Sequence, residues 1–213
     1  MKAQKIIMYG FVGAFLLAIV TAVRLAAAGE GGNDISGHWA ENYIVAMSRN
    51  GVIAGMPDGS FRPDDSITLP QFVTFIMRCE YGEIEPVYGG DWASGYLHRA
   101  LEHGIINNED MANPGYISRF YAATIVHRAL QNIYGEEIEV NVDDLVVLLQ
   151  DQPACTACCN PYFSQVEQNY AMGIISGRPG AVFDGGANLT RAEACVLIMR
   201  MIEPRRRTPP NGS

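Results

Sequence analysis

Two arginines stand where a negatively charged group could be gripped. Arg119 follows Ser118 and Arg191 follows Thr190, each just ahead of an apolar stretch with helical spacing. A guanidinium meets a carboxylate through two parallel hydrogen bonds, and the start of a helix adds a field that favours anions. Thr190-x-x-Glu193 and Thr68-x-x-Gln71 are capping boxes, so those four residues start helices whatever else they do. Arg191 is not needed for a cap and is free for other work. Trp39 and Trp92 can offer ring faces, although tryptophan is more often a core anchor. Asp34 and Asp91 can accept hydrogen bonds from hydroxyl groups or cap the helices that follow them. Gly55 and Gly177 let the backbone come close to a ligand.

These groups suit binding, not bond breaking. His38, His98, His103 and His127 fall on separate stretches, and no Ser-His-Asp or Cys-His set can be argued from them. No catalytic residue, metal site or cofactor is expected, and the chain does not read as an enzyme.

The elements that position these residues come in a unit that recurs three times. Each unit has an amphipathic stretch, a Gly-Val/Ile-Ile step, a loop rich in Gly, Pro, Asp and Asn, and a second apolar helix. The steps are Gly51-Val52-Ile53, Gly104-Ile105-Ile106 and Gly173-Ile174-Ile175, and the second helices open after Ile67-Thr68, Ile117-Ser118 and Leu189-Thr190. In the first unit the spacing predicts a helix over 38–50, with Trp39, Tyr43, Ile44 and Met47 on one face, and a second from Leu69 to about Tyr81. Trp92, Tyr96 and Leu97 repeat Trp39, Tyr43 and Ile44 at an offset of 53. The third unit's last helix is predicted over Arg191–Ile202. A unit this short cannot bury its own apolar face, so the three must pack on one another. The expected fold is mainly α, a pseudo-threefold bundle with the second helices as a central three-helix core.

Other segments set the context. Lys2 and Lys5 precede an apolar run of 18 residues from Ile6 to Val23, and Ala26-Ala27-Ala28 offers a cleavage site. Residues 1–28 therefore read as a cleaved secretory signal or an uncleaved membrane anchor. Without their three basic residues, 12 arginines face 23 acids, a net charge of −11. So acidic a body argues against nucleic acid as a partner. The expected layout is 29–85, 86–135 and 161–204 for the units, 136–160 for an acidic and Cys-rich insertion, and 205–213 for a disordered tail. Cys155, Cys158 and Cys159 cluster in that insertion, where a local disulfide, reduced thiols and a metal site all remain open. Cys195 reads as a small core residue.

The run Asp34-Ile35-Ser36-Gly37-His38-Trp39-Ala40 resembles the opening motif of the S-layer homology family. Gly51–Gly55 with Pro57–Pro63 is similar to its central loop, and Thr190-Arg191-Ala192-Glu193 matches its T-R-A-E motif. The resemblance covers about residues 33–203. It implies three modules in one domain that anchors exported proteins noncovalently to secondary cell-wall polysaccharide, often bearing pyruvate ketals. Such a sugar presents a carboxylate, hydroxyls and an apolar ring face. Arg191, Arg119, Trp39, Trp92, Asp34, Asp91, Glu193, Gly55 and Gly177 are then the expected glycan-binding residues. The chain departs from the pattern at Thr68-Leu69-Pro70-Gln71, which lacks the arginine, and at Ser118-Arg119-Phe120-Tyr121, which lacks the acid. At most two inter-unit grooves therefore look competent. The alternative is a structural protein of the cell envelope that packs with other envelope proteins without binding sugar.

Overall fold

The computed structural model describes residues 34–112, 114–138, 163–178 and 182–209. The N-terminal segment, the cysteine cluster and most of the expected insertion lie outside them. Among the described residues there are seven α-helices: α1 (Glu41–Arg49), α2 (Leu69–Tyr81), α3 (Ser94–Glu102), α4 (Asn108–Ala112), α5 (Arg119–Asn132), α6 (Phe163–Ala171) and α7 (Arg191–Ile202). No strand is present among these residues, only isolated bridges, and no helix is long and apolar enough to cross a membrane. The fold is mainly α, as the periodicity predicts.

Each unit lends its first helix to a neighbour. α3 packs on α2, α6 packs on α5, and α1 packs on α7. The first helix of every unit thus covers the second helix of the unit before it, and the first unit covers the last. α7 also packs against both α2 and α5, which puts the second helices inside. Phe72, Ile76, Ile125, Leu130, Ile198 and Met199 fill that interior with almost no exposure. The reason is amphipathicity: the second helices are apolar over too wide an arc for one partner to cover.

A ring of backbone hydrogen bonds ties the three loop ends together. Ile67 N donates to Leu189 O (2.9 Å), Leu189 N to Ile117 O (2.8 Å), and Ile117 N to Ile67 O (3.1 Å). A second cycle runs through the first helical residues, with Leu69 N on Gly115 O, Arg119 N on Ala187 O and Arg191 N on Asp65 O. One position later, Phe120 N and Ala192 N bond Gly185 O and Pro63 O, but Pro70 has no N–H to give. Serine and threonine caps start these helices as expected. Ser118 Oγ accepts from Tyr121 N, Thr190 Oγ1 accepts from Glu193 N, and Glu193 Oε2 accepts from Thr190 N. Gly51, Gly104 and Gly173 share a left-handed φ of 70°, 66° and 72°, which closes the first helix of each unit before the apolar step.

Two expectations need correction. α1 begins at Glu41, so Trp39 precedes the helix instead of riding its apolar face. Residues 205–209 are docked, not disordered. Thr208 N bonds Gly173 O, and the Arg207 guanidinium forks onto both carboxylate oxygens of Glu136 at 2.6 and 2.8 Å. An arginine-rich segment on an acidic body finds carboxylates to settle on. Residues 210–213 lie outside the described residues.

Candidate binding site

Both predicted arginines are built into the fold. Arg191 opens α7, where it is 3% exposed. Its Nε donates to Phe61 O at 2.8 Å, and its guanidinium lies 4.6 Å over the Phe61 ring and 5.8 Å from that of Phe75. Burial pulls its pKa below the ordinary value. Arg119 opens α5 and is 7% exposed. Its Nε donates to Phe183 O at 2.9 Å, with the guanidinium 5.0 Å over the Phe183 ring. Each arginine therefore reaches across a unit boundary and clamps the loop of the next unit by the corresponding phenylalanine, Phe183 for Arg119 and Phe61 for Arg191. Neither is the idle fork that the sequence suggests. In the remaining junction Leu69 replaces the arginine and Met111 stands at the phenylalanine position, on α4 instead of a loop. Arginine and aromatic are lost together there, which leaves two clamped junctions.

The clamps differ in charge. Arg119 Nη1 pairs with Glu193 Oε1, and Arg178 Nη2 also reaches that oxygen at 3.5 Å. Arg191 has no ion pair among the described residues; Gln71 holds the position that Glu193 holds on α7, and its Oε1 accepts from Thr68 N.

A cavity of about 390 Å³ opens beside the Arg119 clamp. Residues from all three units line it: Trp39 from the first, Arg119 from the second, and Gly177, Arg178, Glu193 and Arg200 from the third. Of the nine expected site residues it unites Trp39, Arg119, Gly177 and Glu193. Trp39 is 62% exposed and Trp92 54%, so neither is the core anchor that tryptophan usually is. Trp92 does not line this cavity. Asp34 is a loop staple: its carboxylate accepts from Phe61 N and Arg62 N, Arg62 having a left-handed φ of 58°. Partial burial would raise its pKa, but the amides of Arg62 and Phe61 hold it below the ordinary value. Asp91 Oδ1 accepts from Ala93 N just before α3, whose N-cap position is held by Ala93 and not by the aspartate. At Gly55 a Cβ would lie 2.9 Å from Ser60 O, so the glycine lets its own loop close. Cys195 is buried, and burial pushes both its thiol and that of Cys79 up to about 12.

Sequence reasoning missed Arg178, Ser176 and Arg200. A signal for Arg200 exists: Arg78, Arg128 and Arg200 each stand nine residues after the first residue of their helix. Arg128 Nη1 and Arg200 Nη1 bond the carbonyls of Ile105 and Ile174, the matching residues of the two apolar steps.

Known proteins share this pattern. The family model described as "S-layer homology domain" matches residues 33–72 and 161–195. S-layer protein EA1 of Bacillus anthracis is 26% identical over 209 residues, 92% of this chain and 22% of that protein. An amylopullulanase of Thermoanaerobacterium thermosulfurigenes is 29% identical over 183 residues, 80% of this chain and 9% of that protein. A cellulosome-anchoring protein of Acetivibrio thermocellus is 47% identical over 45 residues, 21% of this chain and 10% of that protein. The chain thus spans less than a quarter of the length of these relatives.

Proposed function

Because the chain carries S-layer homology units at residues 33–72 and 161–195, we propose that it is held at the cell surface by noncovalent binding to an anionic wall polysaccharide, one that bears pyruvate ketals. It is an exported protein of the cell surface or cell wall. The observation that carries the reading is the cavity beside the Arg119 clamp, which sets an exposed tryptophan against three arginines and one glutamate. An aromatic face suits a sugar ring, and a lining of net charge +2 suits a carboxylate despite the acidic mean field. The recurrence of such units in proteins as different as a surface-layer protein and an amylopullulanase supports an anchoring role over a catalytic one.

The test is sedimentation of the purified protein with isolated wall sacculi. It should travel with sacculi that retain their secondary polymer and stay in solution with sacculi stripped of it. Trp39→Ala removes an exposed ring without disturbing the core and should weaken retention roughly two- to tenfold. Equal retention on both kinds of sacculi would sink the reading.

A second reading has an observation in its favour. Both arginines expected to grip the glycan are committed to loop clamps, which suits an envelope protein that packs with other surface proteins. That reading expects binding to survive removal of the polymer.

A further inference from the structure

The three guanidinium groups that line the cavity are not equivalent. Arg119 is neutralised by Glu193 and bound to Phe183 O. Arg178 pairs with Asp184 and Glu193. Arg200 bonds only neutral acceptors: its Nη1 donates to Ser176 Oγ at 2.8 Å and to Ile174 O at 3.3 Å. Its Nε is buried without a partner, and no ion pair of Arg200 occurs among the described residues. Ile175, Val196 and Leu197 form an apolar wall next to it, which strengthens any charge interaction made there. A half-buried cation held by uncharged groups, with its Nε buried and unpartnered, is left uncompensated until an anion arrives.

We infer that Arg200, steadied by Ser176, is the residue that reads the negative charge of the ligand in this cavity, while Arg119 only holds the loop that shapes it. The inference rests on the polysaccharide reading and specifies its chemistry. The ligand carboxylate lies at the α7 end of the cavity against the Arg200 guanidinium, and the sugar ring lies toward Trp39. Ser176 keeps the guanidinium turned inward. A neutral sugar of the same shape would leave Arg200 uncompensated and would bind less well.

The experiment titrates the full chain with two probes, a methyl hexoside carrying a 4,6-pyruvate ketal and the same glycoside carrying a neutral isopropylidene ketal. The unmodified protein should prefer the charged probe by roughly 10- to 100-fold, the range of a hydrogen bond to an ionised group. Arg200→Gln should erase that preference by weakening the charged probe alone, and Arg200→Lys should restore part of it. A readout that needs no variant is the Arg200 Nε–H resonance, which only the charged probe should shift. Preference intact in Arg200→Gln, or an Nε–H resonance that neither probe moves, overturns the assignment to Arg200 and leaves the polysaccharide reading standing. Failure of the unmodified protein to sediment with polymer-bearing sacculi overturns both.

Discussion

The clamp at Arg191 and the clamp at Arg119 are one device with two electrostatic settings. In both, the first arginine of a second helix crosses a unit boundary, donates Nε to a phenylalanine carbonyl and lies over that phenylalanine's ring. At Arg119 the third residue of the neighbouring helix is Glu193, which neutralises the charge. At Arg191 the matching residue is Gln71, which only caps. The arginine therefore belongs to the architecture, and the residue three places into the adjoining helix sets how much charge the junction carries.

The third helical position is where the two clamps differ most in energy. Glu193→Ala removes a cap and leaves the buried Arg119 without its partner, so it should cost about 3 kcal/mol in urea unfolding. Gln71→Ala removes only a cap and should cost about 1 kcal/mol. Equal costs would mean that Glu193 does nothing for Arg119 beyond capping. Gln71→Glu would sharpen the comparison by supplying Arg191 with the carboxylate its counterpart has. It should raise stability by up to about 1 kcal/mol, read from the same urea midpoint. The smallest effect is on Asp34, which staples the loop that Arg191 clamps. Its pKa is lowered from the ordinary 3.8, so its stabilising contribution is complete above that pH and is lost as pH falls through the lowered value. The gap in thermal midpoint between the unmodified protein and Asp34→Asn should therefore shrink on going from pH 7 to pH 3. A gap that widens would reverse the sign.

The helices were legible because their information is local. Thr68 and Thr190 with their acid or amide partners, followed by helical periodicity, mark α2 and α7 to the residue. The exchange of first helices was not legible. All three second helices present similar apolar arcs, so periodicity cannot say which of them α1, α3 or α6 will cover. Trp39 does not share the apolar face of α1 with Ile44 and Met47 because it precedes the helix by two positions, where helical spacing no longer applies. Arg119 and Arg191 look free in sequence because their acceptors are carbonyls 64 and 130 residues away. Arg200 was passed over because an arginine in the last turn of a helix is ordinary.

The pairing of α1 with α7 has a consequence in time. Among the described helices the earliest made, α1, has as its partner the latest made, α7, and the ring through Ile67, Ile117 and Leu189 closes only when residue 189 is present. Until then every partial chain has an uncovered helix and an open cycle of backbone donors, and long-range contacts of this kind form slowly. An exported polypeptide must stay threadable until it has crossed the membrane. A fold in which α1 and α7 complete each other suits that requirement.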